Sequence, residues 1–219
     1  MTYIYPNQFA RIGVSDEEVL AKVNAAFQTI FFDPEEKFYH DIDADSGCME
    51  DTGNHDARTE GMSYGMMMAV QMDRKDLFDK LWLFSVENMR QKSGVYQGYF
   101  AWSVNRDGSH RAEGPAPDGE EYFAMALFFA SARWGDGKAP FDYSAQAREI
   151  LRHCVHQDEI VKGGSPMWNR ENHSIKFVPE SPYSDPSYHL PHFYQLFSER
   201  ANEEDRAFWA EAARASREY

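Results

Sequence analysis

Two stretches of this chain are apolar on every helical face, and each starts beside an acid. Met62–Met72 reads M-S-Y-G-M-M-M-A-V-Q-M, and Phe123–Trp134 reads F-A-M-A-L-F-F-A-S-A-R-W. Neither keeps a polar stripe at helical spacing, which predicts helices buried on all sides. A third apolar run, H-L-P-H-F-Y-Q-L-F, follows Tyr188. It predicts a third buried helix, capped by Ser184 or Asp185, with Pro186 at its first position and a kink at Pro191. The intervening helices are one-sided. Ser15 and Glu18 form a capping box for a helix to about Phe31, with Val19, Val23, Phe27 and Ile30 on one face. Asp73 or Asp76 caps a second, to about Met89, with Leu77, Leu81, Phe84 and Val86 inward. Tyr143 to His156 is a third, and Asn202 caps a fourth that still runs at Tyr219.

Residues 33–57 read as a long polar loop. Gly94 to Gly108 reads as a hairpin or extended loop closed by Asp107-Gly108, and 157–183 as irregular chain with a short strand at Ile175–Val178. Buried helices alternating with one-sided ones predict two concentric layers, an all-α toroid in one domain over 1–219. Seven helices make about half of a closed ring. The final helix has no C-cap signal, so the sequence reads as a fragment of something longer.

The acids recur in register with the apolar runs. Glu60-Gly61-Met62-Ser63-Tyr64, Asp118-Gly119-Glu120-Glu121-Tyr122 and Asp185-Pro186-Ser187-Tyr188 each place an acid and a tyrosine within one turn before an apolar run. If each unit is a helical hairpin, the three acids arrive at one end of the fold. The bland alternative is an N-terminal acid that complements the helix dipole; convergence of three favours a site. Trp102 and Trp168 stand in loops, where indole rings suit flat, C–H-rich sugar faces. His189 and His192 are three apart, weak evidence for a metal pair, and neither metal nor cofactor is assigned.

A net charge of −14 makes nucleic acid and anionic membrane poor partners. Two cysteines, Cys48 and Cys154, do not make a disulfide framework. With no apolar run of spanning length, the expectation is a soluble, cytoplasmic protein.

The runs around Glu60 and Asp118, R-T-E-G-M-S-Y-G-M-M-M-A-V-Q-M and A-P-D-G-E-E-Y-F-A-M-A-L-F-F-A-S-A-R-W, resemble the two motifs of glycoside hydrolase family 8. More narrowly the chain resembles that family's reducing-end xylose-releasing exo-oligoxylanases, also through D-T-G-N, G-Y-F-A-W-S, P-M-W-N-R, S-D-P-S-Y-H-L-P-H-F-Y and A-N-E-E-D-R. The resemblance implies an (α/α)6 barrel, of which about seven of twelve helices are present, and inverting hydrolysis of β-1,4-xylosidic bonds. It implies Glu60 as general acid, Asp118 as the acid that holds the distorted sugar ring, and Tyr188 near the attacking water. Arg58, Tyr64, Trp102, Trp168 and Asp185 are then expected to bind substrate, with Arg58 turned toward sugar hydroxyls or Asp118. Pro117 and Glu120 depart from the broader pattern of Ser or Thr and of Asp, in agreement with the exo-acting branch. No residue here matches the family's general base. The expected partners are a xylo-oligosaccharide and the C-terminal remainder of the barrel or a partner chain, without which these residues are expected to be inactive. The alternatives are an endo-acting glycanase (xylanase, cellulase or chitosanase), or a half barrel that only binds sugar or assembles.

Overall fold

The computed structural model describes residues 6–219. Its contacts divide the chain into two compact units, one ending at His40 and the other running from Asp41 to Tyr219. In the first unit, Ser15 caps α1 (Asp16–Phe32). Its hydroxyl accepts from the Glu18 N–H, and the Glu18 carboxylate accepts from the Ser15 N–H at 2.8 Å. Phe27 and Phe31, one turn apart, are its buried residues, with ring centroids 4.4 Å apart. Val19 and Val23 are not buried.

The second unit carries the two apolar helices. Short strands β1 (Tyr39–Asp41), β2 (Gly47–Met49) and β3 (Ala57–Arg58) occupy the stretch expected as loop. β3 runs directly into α2 (Thr59–Gln71), so Glu60 lies in the first helical turn. Helix α3 (Lys75–Phe84) passes into a π-helical turn over Ser85–Met89. The expected hairpin is β4 (Ser103–Val104) with β5 (His110–Ala112), turned at Gly108, whose φ of +82° a side chain rarely adopts. β3, β4 and β5 form an antiparallel sheet with Arg58 opposite Ser103. Helices α4 (Pro117–Trp134) and α5 (Tyr143–Ile160) follow, then α6 (Pro191–Arg200) and α7 (Arg206–Glu218). α2 packs on α3 and α4, α4 on α5, and α6 on α7. Among the described residues no helix is long and apolar enough to cross a membrane.

The apolar pattern translates into burial over most of α2 and α4, although Tyr64, Ala132 and Arg133 are exposed and Met67, Met68 and Phe129 half-buried. Met62, Met66, Ala69 and Val70 of α2 are buried, as is α4 from Phe123 through Phe128. Gly65 permits the close packing of α2: a Cβ there would lie 3.0 Å from Met49 Sδ and 3.1 Å from Leu81 Cδ1.

Five expectations are corrected. Asp185 caps a separate 3-10 turn, Pro186–Tyr188, not a helix. Leu190 leaves the helical region, and Pro191, whose missing N–H suits a first turn, starts α6 rather than kinking it. α6 buries only Tyr194 and Phe197, so it is one-sided. Ile175 makes an isolated bridge to Trp168 instead of a strand, and the Asn202 side chain makes no capping bond.

Candidate active site

The site begins where two helix starts touch. A Cβ on Gly119 would lie 2.5 Å from Thr59 Oγ1 and closer still to Thr59 Cβ, so only a hydrogen lets the first turns of α2 and α4 approach this closely. Glu60 and Asp118 are the chain neighbours of these two residues and are brought together by that contact. Strand β3 anchors the α2 start, since the Thr59 N–H donates to the Trp102 carbonyl at 3.1 Å. Thr59 Oγ1 donates to Glu60 Oε2 at 3.4 Å, and Ser63 Oγ to the Glu60 carbonyl at 3.1 Å. Asp118 Oδ1 is buried without a hydrogen-bond partner among the described residues. Burial first, then the Glu60 charge, push the Asp118 carboxyl up to about 7, with Asp185 adding to the effect. Near neutral pH the Asp118 carboxyl therefore keeps part of its proton.

Aromatic rings border the acids. Tyr64 is exposed at 42% and meets Tyr122 edge-on at 4.6 Å, and Tyr122 meets Phe193 at 4.8 Å. Burial and then the Asp118 charge push the Tyr64 phenol up to about 12. Tyr188 is half-buried and stacks on Phe177 at 6.0 Å and 6°. Burial, then Asp118, Glu60 and Asp185, raise its phenol, so the three acids foreseen at one end of the fold do act on one tyrosine. Asp185 accepts from Ser187 N–H at 2.8 Å and Ser187 Oγ at 2.7 Å, bonds that hold its carboxyl below the ordinary range.

Arg58 and Trp168 both have partners within the protein. Arg58 does not turn to Asp118: its Nε donates to Asp56 at 3.1 and 3.3 Å, and its guanidinium lies 5.1 Å over the Trp102 ring. The buried Asp56 carboxylate, also held by Ser103 Oγ at 2.6 Å, is the stronger attraction. Trp102 remains half-buried beneath Arg58. Trp168 is a core residue with 0% exposure, edge-on to Trp209 at 5.0 Å and Tyr194 at 5.7 Å, and presents no face to a ligand.

Glu120 and Glu121 are fully buried directly behind Asp118, a feature not foreseen from sequence. Glu120 accepts from the Phe100 N–H at 3.0 Å, and Glu121 shares a hydrogen bond with the Tyr194 hydroxyl. Burial raises both carboxyls well above the ordinary range. Two consecutive acids opening an otherwise apolar helix were the available signal. Among the described residues, no group of three or more His, Cys, Asp or Glu is arranged to hold a metal ion. The arrangement offers two neighbouring acids, one of them raised toward neutral pH, rings suited to sugar faces, and a tyrosine hydroxyl at the rim.

The sequence profile of glycosyl hydrolases family 8 matches residues 17–217. A reducing end xylose-releasing exo-oligoxylanase of Halalkalibacterium halodurans is 60% identical over 217 residues, 98% of this chain and 56% of that protein. The crystal structure of a point variant of a reducing-end-xylose releasing exo-oligoxylanase superposes with a TM-score of 0.96 at 59% identity, covering 98% of this chain and 57% of that one. The structure of Rex8A from Paenibacillus barcinonensis complexed with xylose gives 0.95 at 56% identity, with 98% and 57% covered. The chain thus spans a little over half the length of these relatives. Endo-acting members of the family are more distant. The helices of the second unit, α2 to α7, belong to an (α/α)6 barrel, as expected from the resemblance.

Proposed function

The chain belongs to glycosyl hydrolase family 8, and we propose that the whole protein releases xylose from the reducing end of short β-1,4-xylo-oligosaccharides with inversion. The observation that carries this reading is the pairing of Glu60 and Asp118 at the abutting starts of α2 and α4, with Asp118 raised to about 7. The substrate class comes from the printed activity of the 60% identical relative.

In this mechanism Glu60 donates a proton to the leaving oxygen. Asp118 grips a distorted ring beside the scissile bond, and that grip strengthens as the oxocarbenium-like charge develops. Tyr188 orients the attacking water. Inversion also needs a carboxylate base roughly 6.5–9.5 Å from the acid, with water between. Glu120 and Glu121 are fully buried, out of reach of bulk solvent. Asp185 already accepts two bonds from Ser187. We assign the base to the part of the barrel that the relatives possess and these residues do not match, supplied by the same protein or a partner chain.

The test is xylotriose isotopically labelled at its reducing-end residue. Labelled xylose as the first product, with the newly formed anomeric centre inverted by NMR, is expected from the whole protein. Mixed oligomers from longer substrates would mean endo action. Residues 1–219 alone are expected to release no xylose; full activity there would place the base at Asp185 or Asp118.

A further inference from the structure

Tyr188 sits on a three-residue turn with no buried residue of its own. The turn is closed by the Tyr188 N–H to the Asp185 carbonyl at 3.1 Å and the His189 N–H to the Pro186 carbonyl at 3.4 Å. Such a short turn holds a catalytic side chain loosely unless something else grips it. The Tyr188 carbonyl accepts from the Tyr194 hydroxyl at 2.9 Å, and the same hydroxyl meets the fully buried Glu121. Tyr194 is itself 1% exposed and wedged between Trp168 and Trp209.

Counting protons fixes the direction of these bonds. A phenol carries one proton and a backbone carbonyl none. Tyr194 therefore spends its proton on Tyr188, and the bond to Glu121 must take its proton from Glu121. A carboxylate at Glu121 would leave one of the two contacts as oxygen against oxygen, at a buried site where that is costly.

We infer that Glu121 is a positioning residue: as a neutral acid it donates to Tyr194 Oη, whose hydroxyl holds the Tyr188 carbonyl and so fixes Tyr188 at the rim of the site. Burial supports this by keeping the Glu121 carboxyl protonated well above the ordinary range. The other Glu121 oxygen, Oε2, has no partner among the described residues, so Tyr194 is the only side chain this acid engages there by hydrogen bond. The catalytic consequence rests on the role proposed above for Tyr188; the clamp itself does not.

Amide hydrogen exchange at Tyr188 and His189 reads the clamp without substrate. Tyr194→Phe and Glu121→Leu are expected to speed exchange at these two amides about tenfold, the loss of one net hydrogen bond, while amides inside α4 stay as they are. Glu121→Gln keeps an N–H donor for Tyr194 Oη and is expected to stay within about threefold of the parent. In the whole protein, Tyr194→Phe and Glu121→Leu should lower kcat by a similar factor with KM little changed, and Glu121→Gln should recover most of it. Unchanged exchange in Tyr194→Phe overturns the clamp, and so does Glu121→Gln exchanging as fast as Glu121→Leu. Should Glu121→Leu fail to fold, Tyr194→Phe, which removes one oxygen at constant shape, still decides. If the parent protein releases no xylose, the hydrolysis reading fails while the exchange result stands alone.

Discussion

Gly119→Ala puts one methyl group where α2 and α4 meet. The added carbon would stand 2.5 Å from Thr59 Oγ1. Ordinary contact needs about 3.5 Å, so the two helix starts must separate by about 1 Å. Alanine in place of glycine would by itself favour a helix by up to about 1 kcal/mol. Overpacking costs about 1–3 kcal/mol, so the expected net is a loss of about 0–2 kcal/mol. The effect on chemistry should be larger, because the displaced residues neighbour Glu60 and Asp118. A 1 Å misplacement of a reacting group costs on the order of 10²-fold. The decisive assay is a double-mutant cycle with Thr59→Gly, which removes the opposing Cβ. Urea unfolding of the parent, both single variants and the double variant gives the coupling, expected as a favourable 1–3 kcal/mol, about the overpacking cost. Additivity within about 0.5 kcal/mol, or a single variant stabilised by the full helix-propensity gain, would show that the helix starts do not set the distance between the acids.

In the whole protein, Glu60→Gln should slow xylotriose hydrolysis by about 10²–10⁴-fold, since an amide cannot donate the proton. A glycosyl fluoride, whose departure needs less acid, should be rescued in part, and a near-parental rate on xylotriose would remove Glu60 from the mechanism. Asp118 ionises in the unfolded chain near 3.8 and in the folded protein near 7. Between those values the folded state binds more protons, so the Asp118 contribution is complete below about 4 and is lost as pH rises to about 7. Asp118→Asn should flatten that part of the stability-versus-pH curve in thermal scans, and an unchanged slope would refute the raised carboxyl. Trp168→Ala should cost about 3–5 kcal/mol of stability as a core truncation. Intact stability with weakened sugar binding would instead return Trp168 to the cleft.

The part of this fold that is legible in the sequence is carried by short-range periodicity and by local chemistry. The capping box at Ser15, the all-round apolar runs of α2 and α4, and the acid opening each run depend on residues within a turn or two of one another. Those features appear in the structure as expected. The family was also legible, because its motifs lie on these same two helix starts. The tertiary structure decided which groups face each other. Arg58 pairs with Asp56, two residues before it, because packing buries that carboxylate and Ser103 from β4 holds it in place. Trp168 went into the core because Tyr194 and Trp209, distant in sequence, close around it. The third apolar run lost its first turn to Pro191, whose ring can begin a helix more readily than continue one. Nothing within a turn of Glu120 and Glu121 marks them as interior apart from the apolar run they open. They are interior because Phe100 and Tyr194, reached only through the packing of other elements onto α4, supply their partners. Helical periodicity assigns a residue to a face of its own helix. The partner opposite that face belongs to another part of the chain, and the free energy of the pair is settled only when the two meet.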